Sequence, residues 1–192
     1  SSDSEEKNVD QFTNTSEKNS SENNKNNESE TSTKKANNNI VSIDKQLNVL
    51  YSDPPTLDPH RAQDSTSAGI ILEIYSGLVS LDTNLQIIPD IAKSWTISND
   101  GMKYTFKLRD NAKFHNGKKI TSEDFIWSFN RAANPATTSI TAEDYLGDII
   151  GVQDVIDGKT DKISGIKLID ELTLEINIDS PKAYFLAKLT YP

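Results

Sequence analysis

Cysteine is absent from the 192 residues, which removes disulfides, thiolate nucleophiles and cysteine-ligated zinc at once. No apolar run comes near the roughly 20 residues a membrane span needs. Basic charge is in deficit: 20 Lys and Arg stand against 29 Asp and Glu, a formal net charge of −9, the wrong sign for a nucleic-acid surface. No methionine opens the chain, as expected of a processed or excised product. Apolar residues are nearly missing from the first 39 positions, where only Val9, Phe12 and Ala36 interrupt a stretch with 22 Ser, Thr and Asn. Such a segment cannot bury enough surface to offset the entropy of ordering it, so residues 1–40 are expected to form a disordered polar tether. Its eight acidic and five basic side chains make it a solvated spacer rather than a polybasic arm. The Asn-x-Ser/Thr triplets at Asn14, Asn19 and Asn27 lie inside it and carry no further weight.

The remaining residues are patterned for folding. Leu47–Ser52 reads as a short strand that Pro54 and Pro55 end by withdrawing two backbone donors. Ile70, Ile71, Ile74 and Tyr75 fall at helical spacing and predict a helix over 67–76 stopped by Gly77. Leu78–Leu81 predicts a strand, and Ile87–Ala92 a connector. Trp95 and Ile97 alternate into the turn Asn99-Asp100-Gly101, after which Met102, Tyr104, Phe106 and Leu108 share one face and Lys103, Thr105, Lys107 and Arg109 the other. That is a β-hairpin. Asn116-Gly117 supplies another turn. Thr121 with Asp124 has capping-box spacing and opens a helix whose Phe125, Ile126, Phe129, Ala132 and Ala133 form one stripe. Asn134-Pro135 breaks it. Thr141 with Asp144 repeats the capping spacing before a second helical region, interrupted at Gly147 and Gly151. Leu172, Leu174, Ile176 and Ile178 alternate with polar residues and pair with Ile166 and Leu168 across Asp170-Glu171. Ser180-Pro181 then predicts the N-cap and first turn of a last helix through Leu189. Antiparallel strands mixed with helices define an α+β fold with a mixed sheet, β-hairpins and packed helices.

Catalytic patterns are missing from this framework. His60 and His115 share no strand or helix spacing, and a metal site needs three or four converging ligands. No Gly-x-Ser-x-Gly elbow occurs. Glu123-Asp124 and Glu143-Asp144 sit in helix first turns, where carboxylates complement the macrodipole rather than form an acid and base pair. Trp95, Trp127, Tyr104, Phe106, Phe114, Phe125 and Phe129 are expected to form a core shared by sheet and helix. The residues imply no enzyme, cofactor or metal.

The ordered run from Ile91 through the hairpin, with Lys113-Phe-His-Asn-Gly and Thr121-Ser-Glu-Asp-Phe-Ile-Trp-Ser-Phe behind it, closely resembles the signature region of the family 5 extracytoplasmic solute-binding proteins. These are the oligopeptide- and dipeptide-binding receptors of ABC importers. The resemblance extends upstream through Thr56-Leu-Asp-Pro-His60 and downstream through Ile166–Ile176 and Ser180–Phe185, covering about residues 46–192. It implies a two-lobed receptor that closes on an extended peptide and hands it to the membrane permease. Residues 46–75 would then be the first strand and helix of ligand-binding lobe I, and 76–192 an additional α+β domain returning toward lobe I at its end. Most of lobe I and the whole of the other lobe would lie outside the chain. The resemblance also implies an extracytoplasmic location, on the outer face of the plasma membrane, through a lipid-modified Cys immediately before Ser1 that this chain does not contain. Two segments correspond to peptide contacts in the family. One is the loop Arg61–Ser65, with Gln63 where an acidic residue can occur and Asp64 beside it. The other is Thr138–Thr141, with no aromatic until Tyr145. Gln63, Asp64, Ser65, Ser139, Thr141 and Tyr145 are the candidate ligand residues. Alternatives are a same-fold receptor for an oligosaccharide or nickel complex, or a surface interaction module.

Overall fold

The structure, a computed structural model, describes residues 52–192. The expected tether and most of the expected strand Leu47–Ser52 lie outside the described residues.

The central element is a four-stranded antiparallel sheet. Strand β3 (Ala92–Ile97) turns at Asn99-Asp100-Gly101 into β4 (Lys103–Leu108), and β5 (Ile166–Asp170) turns into β6 (Thr173–Asn177), so that β4 and β6 lie side by side in the order β3-β4-β6-β5. The alternation puts Tyr104, Phe106 and Leu108 opposite Ile176, Leu174 and the β6 entry on one buried face. The other face carries Lys103, Lys107 and Lys167, and Glu175 sits between Lys103 at 3.6 Å and Lys167 at 3.7 Å. One face is dry and the other solvated. Bulges interrupt the register between Ala92 and Ser94 in β3 and between Leu168 and Asp170 in β5.

Helix α2 (Ser122–Ala133) covers the dry face, with Ala132 and Ala133 buried and Phe125, Ile126 and Phe129 packed at the core margin. Its start is fixed as expected: the Thr121 amide and hydroxyl donate to Asp124 Oδ2 at 2.9 and 3.0 Å. The helical region behind it is two short helices, α3 (Ala142–Leu146) and α4 (Val152–Ile156), separated by a turn containing Gly147 and Gly151. Val152, Val155, Leu146 and Ile149 complete the core with Phe185 from α5 (Phe185–Lys188). Phe106, with no exposed surface, and Phe185 lie at its centre, where each buried ring contributes about 1.5–3 kcal/mol of transfer free energy.

Several expectations differ from the structure. Helix α1 runs Ser65–Ile74, two residues earlier than predicted, because Asp64 accepts the Ser67 amide at 2.8 Å and caps it there; it ends on an extended Tyr75 before reaching Gly77. The supposed connector Ile87–Ala92 contains strand β2 (Ile87–Pro89), paired antiparallel with β1 (Val79–Leu81) in a separate small sheet. Pro89 is tolerated because it stands at the end of an edge strand. Thr141 makes no side-chain cap: its backbone is already helical, at φ −103°, ψ −11°, and its hydroxyl lies 3.4 Å from that of Ser139. The last helix does not start at Ser180-Pro181. Ser180 donates to the Asp179 carboxylate at 2.9 Å, Lys182 is drawn to Asp148 at 3.0 Å, and regular helix begins only at Phe185. Trp127 and Phe114 are not core residues either, being 66% and 40% exposed.

Candidate functional site

An open cleft of about 1210 Å³ is bounded by the 57–60 loop, the end of α1, one side of α2, the Phe114-His115 turn, the start of α3 and the Leu189–Pro192 segment. The helices and turns around it present Leu72, Tyr75, Phe125 and Trp127, an apolar lining, together with His60, Ser128, Arg131 and Ser139 as polar groups.

The candidate ligand residues divide into two sets. Ser139, Thr141 and Tyr145 line the cleft. Gln63, Asp64 and Ser65 do not line it; Gln63 and Ser65 are exposed on the loop entering α1, and Asp64 is occupied in capping that helix. The backbone amide of Ser67 holds the Asp64 carboxyl below its ordinary range, so it carries a full charge at neutral pH. Tyr191 also lines the cleft. Its ring stacks on that of Tyr145 with centroids 5.3 Å apart and planes 26° apart. Burial raises the Tyr191 phenol above its usual pKa, and Tyr145 and the charge of Asp64 raise it further. Among the described residues, no group of three or more His, Cys, Asp or Glu is placed to hold a metal ion, and no helix is long and apolar enough to cross a membrane.

Sequence reasoning missed a polar cluster at the cleft's edge. Arg131, on α2, forks onto Asp58: Nη1 to Oδ1 at 2.8 Å and Nη2 to Oδ2 at 2.5 Å. The same Nη1 stands 2.6 Å from Nδ1 of His60, whose Nε2 is 3.2 Å from Ser128 Oγ. A guanidinium only donates, so Nδ1 must accept, which places the imidazole proton on Nε2, pointing at the Ser128 hydroxyl. The Arg131 hydrogen bonds hold the Asp58 carboxyl below its ordinary pKa. Burial, then the charge of Arg131, pushes the His60 imidazole down. The available signal was weak: Ser128 and Arg131 share a helix face at i, i+3, but nothing in the sequence pairs that face with Asp58.

Hairpins, helices and connecting loops together define an α+β unit. The sequence profile of the bacterial extracellular solute-binding proteins, family 5 (middle region), matches residues 86–192, and the chain belongs to that family. It is 37% identical over 145 residues to the probable deoxycholate-binding periplasmic protein YgiS of Escherichia coli K12, across 74% of this chain and 27% of that protein. To the periplasmic oligopeptide-binding protein OppA of the same organism it is 35% identical over 146 residues, across 73% of this chain and 26% of OppA. The solved structure of Listeria monocytogenes OppA bound to peptide superposes with a TM-score of 0.69 at 30% identity, over 73% of this chain and 28% of that one. The chain thus spans about a quarter of the length of the curated relatives it matches. The family is one of solute-binding proteins.

Proposed function

We propose that the chain is the N-terminal part of an extracytoplasmic receptor that captures oligopeptides and delivers them to the permease of an ABC importer. The observation that carries this reading is its similarity over some three quarters of its length to oligopeptide-binding proteins, one of them solved with peptide bound. Peptide would be held between two lobes, its backbone groups pairing with protein backbone while water-filled pockets accept varied side chains. The 61–65 loop, through Gln63, Asp64 and Ser65, and the cleft wall of Ser139, Thr141 and Tyr145 would supply contacts from this part of the receptor. No step in that cycle needs catalysis. A lipid anchor on a preceding Cys would keep the receptor at the outer face of the membrane, with residues 1–40 as the tether.

A second reading is favoured by one observation. The similarity to a probable deoxycholate-binding protein supports a different solute class for the same fold. Calorimetry on the complete receptor with a pool of tri- to pentapeptides, and separately with deoxycholate, decides between them. Micromolar binding of peptide alone is the expected result; binding of deoxycholate alone overturns the peptide reading. The 192-residue chain by itself is expected to hold peptide more weakly than about 1 mM, because a one-sided site leaves most peptide backbone groups to water.

A further inference from the structure

The Asp58 carboxylate is tied at once to a distant helix and to the start of the 61–65 loop. Its backbone carbonyl accepts the amides of Arg61 at 3.0 Å and Ala62 at 3.1 Å. Its Oδ1 accepts the His60 amide at 3.1 Å in addition to Arg131 Nη1, and its own amide donates to Thr56 Oγ1 at 3.1 Å. Every turn of the chain between Thr56 and Ala62 is therefore referred to the position of this one residue. Asp58 is in turn held by a bidentate fork, the arrangement that fixes direction as well as distance. Arg131 and Asp58 keep only 33% and 25% of their side-chain surface in solvent, and Ala62, at the end of the turn, is buried.

We propose that Arg131 is a positioning residue for the peptide loop: by gripping Asp58 and His60 together, its guanidinium fixes the turn from which residues 61–65 leave, and so aims Gln63, Asp64 and Ser65. The inference rests on the peptide-receptor reading for its ligand half and on the hydrogen-bond geometry alone for its positioning half. The Arg131 guanidinium is committed to Asp58 and His60. It acts through Asp58, and because it lies on α2, it ties the loop to the sheet-and-helix core that α2 covers.

The grip also has a chemical condition. His60 Nδ1 can accept from the guanidinium only while the imidazole is neutral. The groups facing it are Arg131 and Ser128 from α2, Asp58 from its own loop, and Tyr75 from the end of α1, which bears on Arg131. Asp58 favours a protonated ring, while burial and Arg131 oppose it more strongly. A proton on Nδ1 would set N–H against N–H at 2.6 Å and push the ring or the guanidinium away. The His60 part of the grip is therefore complete at neutral pH and is lost in acid, below the ordinary histidine value of 6.5, while the fork onto the still-ionised Asp58 persists.

Two measurements test this. In the 192-residue chain, Arg131→Gln should speed hydrogen exchange at the Arg61 and Ala62 amides while Phe106 and Leu174, in the sheet, keep their protection. In the complete receptor, Arg131→Gln should weaken binding of the tri- to pentapeptide pool roughly tenfold, since hydrogen bonds to charged groups are lost. Arg131→Lys should recover part of it, as a point charge cannot fork. Wild-type affinity should fall in acid, and His60→Gln, which cannot titrate, should remove that limb of the profile. Unchanged exchange at Arg61 and Ala62 overturns the positioning role. Faster exchange with unchanged peptide affinity overturns its bearing on the ligand. A wild-type receptor that takes no peptide overturns the functional reading, and the exchange result then stands or falls by itself.

Discussion

Asp148 and Lys188 meet at 2.7 Å beneath the surface, and Lys182 closes on the other carboxylate oxygen at 3.0 Å. The α3–α4 turn is thereby fastened to the final segment by one carboxylate and two ammonium groups, with Asp179 adding a further contact to Lys182 at 3.2 Å. Burial pushes the Asp148 carboxyl up, but the hydrogen bonds from Lys188 and then Lys182 outweigh it, and the net direction is down. The Lys182 ammonium is correspondingly raised, first by Asp148 and then by Asp179.

A carboxyl whose folded pKa is depressed contributes stability above its unfolded value and loses it as the pH falls through the folded value. The stability of the folded chain should therefore decline in acid, starting near the ordinary aspartate value of 3.8. Asp148→Asn should flatten that decline. Asp148→Ala should cost about 1–3 kcal/mol at pH 7, by leaving two lysines without their shared partner. Urea unfolding at pH 3 and pH 7 measures both; equal pH dependence in the wild type and Asp148→Asn would remove Asp148 from the account.

Two aromatic substitutions should separate sharply. Phe106→Ala empties the middle of the core and should cost about 3–5 kcal/mol. Trp127→Ala, at a site 66% exposed, should stay within about 0.5 kcal/mol. Chemical denaturation of the two variants is sufficient, and comparable losses would place Trp127 in the core after all.

Gly151 and Gly158 share a left-handed backbone, with φ of +86° and +71°, but differ in their surroundings. A Cβ at Gly151 would lie 2.8 Å from the Ser164 backbone nitrogen and within contact of its hydroxyl, whereas at Gly158 it would meet nothing within 4 Å. Gly158→Ala should cost about 1–2 kcal/mol for the backbone alone. Gly151→Ala should cost about 1–3 kcal/mol more, from overpacking. Thermal unfolding of the pair checks the difference, and equal melting temperatures would show that the Ser164 segment yields freely.

The two Thr caps offer a similar contrast. Thr121→Ala removes a threonine bonded to Asp124 and should cost about 1 kcal/mol, while Thr141→Ala removes no cap and should cost less than half of that. Helix content and unfolding midpoints of both variants provide the measurement. A Thr141 variant as damaged as the Thr121 variant would restore the capping role that the backbone angles deny it.

Where local chemistry decides, the sequence was readable. The β3–β4 and β5–β6 hairpins followed from alternation around short turns, and the α2 start from Thr121 and Asp124. Strand β2 was missed because three residues are too few for a period to show, and Ile87–Ala92 read only as a connector. Trp127 was misassigned by residue type. At about 100° per residue it lies about 200° from Phe125, on the far side of the apolar stripe. The last helix failed because Lys182 answers Asp148, a partner no local rule could supply. For the candidate site, the resemblance suggested the 61–65 loop and the 138–141 stretch as contacts, but not Tyr191, which stacks on Tyr145. It gave Asp58 and His60 as parts of a motif, but not Arg131, since tertiary folding alone brings these groups together.

The two register bulges also govern how the molecule behaves among its own copies. They fall on β3 and β5, which are the outer strands of the sheet, and both strands also carry exposed apolar side chains, Ile97 at 46%, Leu168 at 47% and Ile169 at 54%. A flat outer strand of that composition would be a template for adding a fifth strand from another chain. Each bulge breaks the even row of amides and carbonyls and turns the strand out of plane, while Lys93 and Lys167 on the same strands would bring repelling charges into any stacked pair. Among the described residues the sheet has four strands, and backbone geometry at both outer strands disfavours the addition of a fifth from another copy.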